Sequence, residues 1–224
     1  MFSPQSVQLT SNGLPVHLHL FSTGRIAGRL STQWEPIWVL VIDHPEGIFL
    51  VDTGERARNR KWYLNILYKF DLDRDQEVDR QLARLNLKPH QIILTHLHFD
   101  HIDGLYHFPE TPTIHPGLKD YNDTCGPFAK AHYLTKTKDL AIIHTPGHTH
   151  DHCSVLIKTD THHILFGGDV APNQRRLTDP TIKAYAQQHP LIVLLTHDPG
   201  SNIRLATLEP LPSSKTGNPP PPHP

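Results

Sequence analysis

The segment His96-Leu-His-Phe-Asp-His101 places four side chains of metal-ligating type, His96, His98, Asp100 and His101, within six residues. Imidazoles and a carboxylate, without thiolate, suit zinc, iron or manganese. Neighbouring side chains on a strand point to opposite faces, so these groups converge only where the chain turns. The preceding run, Gln91-Ile-Ile-Leu-Thr95, is apolar and β-branched, and Pro89 and His90 bound it. It reads as a buried strand, with the cluster in the loop that turns over its end. Nineteen of the 224 residues are histidine, so only spacing and context give any one of them meaning.

Three later sites share that context. Ala141-Ile-Ile-His144 runs into Thr145-Pro-Gly-His148, His163-Ile-Leu-Phe166 into Gly167-Gly-Asp169, and Leu191-Ile-Val-Leu-Leu195 into Thr196-His197-Asp198. Each is a short strand, a tight turn and a ligand-type residue. Loops at one edge of a sheet are where sites are usually built. His96, His98 and His148 would give one metal three imidazoles. Asp100, His101 and His197 would give a second metal three ligands, and Asp169 could bridge both. Three protein ligands, a shared carboxylate and a water make an open, catalytic arrangement. Two metals about 3.5–4 Å apart could share a hydroxide.

Taken in order, His96-x-His98-x-Asp100-His101, His148, Asp169 and His197 resemble the metallo-β-lactamase-fold hydrolases. The Asp52-Thr-Gly54 turn after Gly47-Ile-Phe-Leu-Val51 fits the same pattern, and the resemblance runs to about residue 208. The wording of the hexapeptide, of Thr145-Pro-Gly-His148-Thr and of Thr196-His-Asp-Pro199 is most similar to the N-acyl-homoserine lactonase branch. So is that of Trp38 to Gly47 and Asp52 to Glu55.

The resemblance implies an α/β fold, the four-layer αββα sandwich, holding two divalent ions, zinc first, with iron or manganese as alternatives. It implies a metal-dependent hydrolase that opens a lactone or ester with a metal-bridging hydroxide, an N-acyl-homoserine lactone being the first substrate to expect. Asp169 would set the metal separation and Asp100 would shuttle a proton to the leaving group. Thr95, Asp52 and Thr145 are the candidates to orient ligand imidazoles. A glyoxalase II-like thioesterase, a β-lactamase or a phosphodiesterase would share this centre. A mononuclear iron sulfur dioxygenase would leave Asp100, His101 and His197 under-used, and His98 stands where diiron enzymes tend to have Glu.

The chain departs from the lactonase pattern in places. Those enzymes carry a Tyr three residues after the bridging Asp, where this chain has Pro172. Tyr106 and Tyr133 are the candidates to replace it. Asp103 stands where Gly is frequent, and the segment from Asp169 to His197 has room for only one helix. His150 and His152 are expected at the surface or in support of the ligands. Cys153 is expected to be a small core residue.

The elements that must position these groups come from the hydrophobic pattern. Strands are expected at Val16 to Phe21, Ile37 to Ile42, Ile48 to Val51, Ile92 to Thr95, Ala141 to His144, Ser154 to Lys158, Ile164 to Gly167 and Leu191 to Thr196. Helices are expected at Asp75 to Leu87, stopped by Lys88-Pro89, and at Thr181 to His189, stopped by Pro190. Residues 1–208 form one domain in this reading, and 209–224 a proline-rich tail.

Lysine and arginine number 21 against 22 acidic residues, a net charge of −1, with no footprint for nucleic acid or an anionic membrane. No apolar run approaches spanning length, and the N-terminus lacks a basic n-region. Two cysteines make no disulfide framework, which points to a reducing cytoplasm. The expected partner is a small-molecule lactone or ester, bound by a monomer or homodimer.

Overall fold

The computed structural model describes residues 4–57, 64–115, 117 and 121–212. Two mixed sheets face each other. The first holds β1 (Gln5–Ser11), β2 (Leu14–Gly28), β3 (Glu35–His44), β4 (Gly47–Val51), β5 (Tyr68–Asp71), β6 (Gln91–Ile93) and β7 (Thr113–Ile114). The second holds β8 (Asp123–Cys125), β9 (Phe128–Tyr133), β10 (Leu140–His144), β11 (Cys153–Lys158), β12 (His163–Phe166) and β13 (Leu191–Leu194). Strand β2 is long enough to pair β1 with its first half and β5 with its second, either side of an irregularity between Ser22 and Arg25.

Strict alternation builds the layers. Trp38, Leu40 and Ile42 of β3 point into the core between the sheets, where Val155, Ile157, Ile192 and Leu194 meet them. Val39 and Val41 point outward, onto Val78 and Leu82 of α2 (Val78–Arg84). In the second sheet, Ala141, Ile143, Leu156, Leu165 and Val193 point outward onto Ile182, Tyr185 and Ala186 of α4 (Pro180–Gln188). Strands covered on both faces read as continuous apolar runs, the pattern by which they were predicted. The result is helix, sheet, sheet, helix. A short α1 (Leu64–Leu67) precedes β5, α3 (Phe99–Ile102) follows β6, and α5 (Ser201–Thr207) sets Leu205 into the central core.

The helix expected over Asp75 to Leu87 is broken. Asp73 accepts from Asp75 N–H to start a single 3-10 turn at Arg74–Gln76, and Glu77 is extended, at φ −59° and ψ 145°. Glu77 leaves the helix because its carboxylate receives Ala57 N–H and His107 Nε2. The second helix follows its signals: the Asp179 carboxylate accepts from Thr181 and Ile182 N–H, with Pro180 in the first turn. At the C-terminal side, Leu211 N–H donates to Leu191 O. Positions 213–224 of the expected tail lie outside the described residues. Among the described residues, no helix is long and apolar enough to cross a membrane.

Candidate metal centre

Strands β4 and β6 are parallel, as are β12 and β13, and β10 runs with β12 through the antiparallel β11. Their C-terminal ends therefore feed the same edge of the sandwich, and the loops that follow carry every candidate ligand. Backbone bonds tie the two sheets together here, Cys153 N–H to Thr95 O at 2.9 Å and Trp38 N–H to Thr196 O at 3.1 Å. The loop expected after β6 contains the single helical turn α3, which carries Asp100 and His101 and continues into a 3-10 turn, Asp103–His107.

The seven candidate ligands fall into two groups. His96, His98, His148 and Asp169 offer atoms within 4.8 Å of one another, and so do Asp100, His101 and His197. His148 Nε2 lies 3.0 Å from His98 Nδ1 and 3.3 Å from Asp169 Oδ2. His197 Nε2 lies 3.2 Å from Asp100 Oδ2 and 3.4 Å from Asp169 Oδ2, and His101 Nε2 3.4 Å from Asp169 Oδ1. Zinc–nitrogen bonds of about 2.0–2.1 Å in a tetrahedron separate ligand atoms by roughly 3.3 Å. The observed spacings are of that size. Asp169 touches imidazoles of both groups.

The chemistry of the donors fits a cation. His96 Nε2, His101 Nε2 and Asp169 Oδ1 are buried with no hydrogen-bond partner among the described residues. Orphaned polar atoms cost about 1–3 kcal/mol each, and a cation between them would satisfy all three. The tautomers are set for this. Thr95 Oγ1 donates to Asp52 Oδ2 at 2.8 Å, so His96 Nδ1–H, at 3.1 Å, donates to Thr95 Oγ1. His101 Nδ1–H donates to Asp52 Oδ2 at 2.7 Å, and His197 Nδ1–H to Pro36 O at 2.9 Å. In its neutral form each ring then presents a bare Nε2 to the centre.

Charge differs among the rings: His96 is neutral, whereas His101 and His197 hold a proton that a bound cation would displace. Burial, reinforced by His101, pushes His96 down to about 2, so that ring is neutral. Burial would lower His101 and His197, yet Asp169 with Asp52 and Asp100 holds His101, and Asp169 with Asp100 holds His197, well above the ordinary imidazole value. Burial would raise Asp169, but His197 and His101 hold its carboxyl well below the carboxylate range.

Asp52 and Thr95 both hydrogen-bond imidazoles of the candidate ligands. Thr145 does not orient any of the seven: its Oγ1 and its carbonyl both lie 3.0 Å from Nδ1 of His152. His152 is fully buried, and its Nε2 accepts from Asp169 N–H at 3.1 Å. Alternation gives no signal for it, since His152 precedes β11 and has the same parity as His150, which is exposed. Cys153 is a core residue whose thiol donates to Leu94 O at 3.3 Å, and burial pushes it up to about 12. Neither tyrosine expected to replace the one missing at Pro172 reaches the centre. Tyr106 is 72% exposed with Arg56 over its ring, and Tyr133 donates to Thr124 O. Tyr68 lines the pocket instead, because β5 lies beside β2. That pocket, about 230 Å³, is walled by Ile26, Tyr68 and Phe99, with His98, His148, Asp100, Asp169 and His197 at its floor.

Residues 32–124 match the metallo-beta-lactamase superfamily. The fold agrees with solved structures: an N-acyl homoserine lactone hydrolase with N-hexanoyl-L-homoserine bound at its catalytic metal centre superposes with a TM-score of 0.65 at 18% identity, over 86% of this chain and 94% of that one. The sequence of this chain is 30% identical over 151 residues to an N-acyl homoserine lactonase of Bacillus sp, covering 56% of this chain and 59% of that protein. It is 35% identical over 97 residues to a hydroxyacylglutathione hydrolase of Erwinia tasmaniensis, covering 40% and 36%. The aligned part thus spans less than two thirds of either relative. Both relatives carry the names of hydrolases.

Proposed function

We propose that this chain is a dinuclear metal-dependent hydrolase of a lactone or related ester, with an N-acyl-homoserine lactone as the substrate to test first. Asp169 carries the reading: one carboxylate lies within 3.4 Å of His101 and His197 on one side and of His148 on the other. His96, His98 and His148 would hold one divalent ion, Asp100, His101 and His197 a second, and Asp169 would contact both. Two such ions supply a water acidic enough to attack near neutral pH and an electrophile for the carbonyl. Zinc suits these ligands, and iron or manganese are the alternatives.

The chain's own residues do the rest. Asp52 and Thr95 fix the tautomers of His101 and His96, and His152 fixes the backbone of Asp169. Burial would raise Asp100, yet His101 and His197 hold its carboxyl below the ordinary value, so it is an ionised acceptor that can pass a proton to a leaving oxygen. The apolar wall of Ile26, Tyr68 and Phe99 excludes water from one side of the reacting bond.

A thioesterase is the second reading, supported by the hydroxyacylglutathione hydrolase match. A mononuclear oxygenase would leave Asp100, His101 and His197 without a task. Metal content by mass spectrometry, with a panel of lactones, aryl esters, hydroxyacyl-thioesters, a β-lactam and a phosphodiester, separates these readings. We expect two metals per chain and a lactone far ahead of the others. One metal per chain, or preference for the thioester, overturns the proposal. In His148→Ala, metal occupancy and turnover should fall together.

A further inference from the structure

We propose that Glu35 selects substrates by charge, so that the pocket takes neutral or cationic esters and lactones and rejects anionic ones. This rests on the hydrolase reading above and narrows its substrate class. Glu35 is the first residue of β3 and lines the same pocket as the candidate ligands. Of the pocket's lining residues it alone is charged without belonging to either ligand group, and none of them is Lys or Arg.

Strand register keeps cations away from it. Ile26 is the cross-strand partner of both Glu35 on β3 and Phe70 on β5, so these three share one face. Gly28 and Tyr68, two residues along, pair on that face too. Arg25 and Lys69 occupy the alternate positions and point to the other face. There Arg25 pairs with Asp71 at 2.6 Å and lies 5.1 Å from the centre of the Trp34 ring. Lys69 donates to Ser31 O at 2.5 Å and lies 5.7 Å from the same ring. Glu35 has no ion-pair partner among the described residues.

Its position relative to the metal centre is fixed from the backbone. His197 Nδ1–H donates to the carbonyl of Pro36, the next residue, so Glu35 stands at the His197 side of the pocket. A substrate whose carbonyl reaches the floor must bring its neighbouring atoms past this carboxylate. An ammonium or amide N–H there meets an acceptor, and a carboxylate or phosphate meets a like charge. Glutathione thioesters, β-lactams and phosphodiesters are all anionic. Among the described residues, the pocket that would have to receive them offers no lysine or arginine side chain.

Matched esters with one acyl group and an ammonium, a neutral amide or a carboxylate two bonds from the scissile oxygen test this. Hydrolysis by the metal-loaded protein is compared with binding of the corresponding non-hydrolysable ketones to the metal-free protein, by calorimetry. We expect wild type to favour ammonium and amide over carboxylate by at least tenfold in both measurements, about 1.4 kcal/mol. Glu35→Gln should flatten the order and Glu35→Lys should reverse it, with metal content unchanged in both. The same charge order in all three proteins overturns the role of Glu35, as does a loss of metal in Glu35→Gln, which would make it a ligand. If no ester is hydrolysed while the ketones keep the charge order, the hydrolase reading fails and the selectivity of Glu35 stands.

Discussion

His152 Nε2 accepts a hydrogen bond from the backbone N–H of Asp169 at 3.1 Å, while its Nδ1–H is held by the Thr145 carbonyl at 3.0 Å. A buried imidazole thus spans the loops after β10 and β12 and fixes the residue that both ligand groups share. Burial pushes His152 down to about 4, so the ring is neutral near pH 7 and its Nε2 remains an acceptor. Replacing it with Ala leaves the Asp169 N–H unpaired in the interior. We expect His152→Ala to weaken metal binding by about 10- to 100-fold with secondary structure retained. Metal titration followed by calorimetry checks this. Wild-type affinity in a folded variant would remove His152 from the centre.

Asp52 sets two tautomers at once. Its Oδ2 receives His101 Nδ1–H directly and His96 Nδ1–H through Thr95 Oγ1. Asn in its place would present an N–H where His101 needs an acceptor. The ring would then keep its proton on Nε2, the atom that faces Asp169. Asp52 has φ 59°, and Asn tolerates that left-handed conformation as well as Asp, so the backbone does not confound the change. Asp52→Asn should lower affinity for one of two metals by about 10- to 100-fold. Metal stoichiometry near one per chain at limiting metal is the expected result.

These supports explain what could be read from the sequence. The candidate ligands were legible because each follows a strand buried on both faces, where an apolar run stops abruptly at a polar residue. Asp52 and Thr95 share that context. His152 was harder, since it precedes its strand and sits among exposed histidines. Strands β1, β5 and β9 escaped because each has a solvent-facing side: β9 alternates buried Phe128 and Ala131 with exposed Ala129 and Lys130, and polar residues dilute its run. With β5 went Tyr68, and with it the wall of the pocket. Asp103, unexpected at its position, accepts from Arg56 N–H at 3.1 Å and pairs with that guanidinium at 2.9 Å. It braces the loop that carries Asp52, a contact between distant loops that no local pattern encodes.

Away from the metal centre, Asp139 ties β1 to the β9–β10 turn. Its carboxylate accepts from Ser11 Oγ at 2.5 Å, Thr135 Oγ1 at 2.6 Å and Thr137 Oγ1 at 2.7 Å, with His44 Nε2 at 3.1 Å. Burial would raise its pKa, but the Ser11, Thr135 and Thr137 hydroxyls hold it well below the carboxylate range. A carboxyl depressed in the fold stabilises above its unfolded value, near 3.9, and that contribution fades as pH falls through the folded value. Asp139→Asn should therefore be destabilised at pH 7, and the gap to wild type should narrow steadily below about pH 4. Urea unfolding across that range reads it. A gap independent of pH would mean the loss is one of packing alone.

Gly104 meets the metal centre through a backbone it cannot move. A Cβ placed there would lie 2.2 Å from the Thr53 carbonyl oxygen. Thr53 in turn is locked, its N–H and Oγ1 both donating to His101 O at 2.7 and 2.9 Å. The Gly104 N–H donates to Gly54 O at 3.1 Å, so the 3-10 turn and the Asp52–Gly54 loop are pressed together face to face. Any side chain must push them apart, and the displacement passes to Asp52 and His101, the pair whose 2.7 Å contact orients one candidate ligand. Overpacking of this kind typically costs about 1–3 kcal/mol. Gly104→Ala should lose that stability and also bind metal more weakly. In a variant made equally unstable at a remote core site, such as Leu205→Ala, metal affinity should hold. If the two variants bind metal alike, the turn contributes only to folding and not to the geometry of the site.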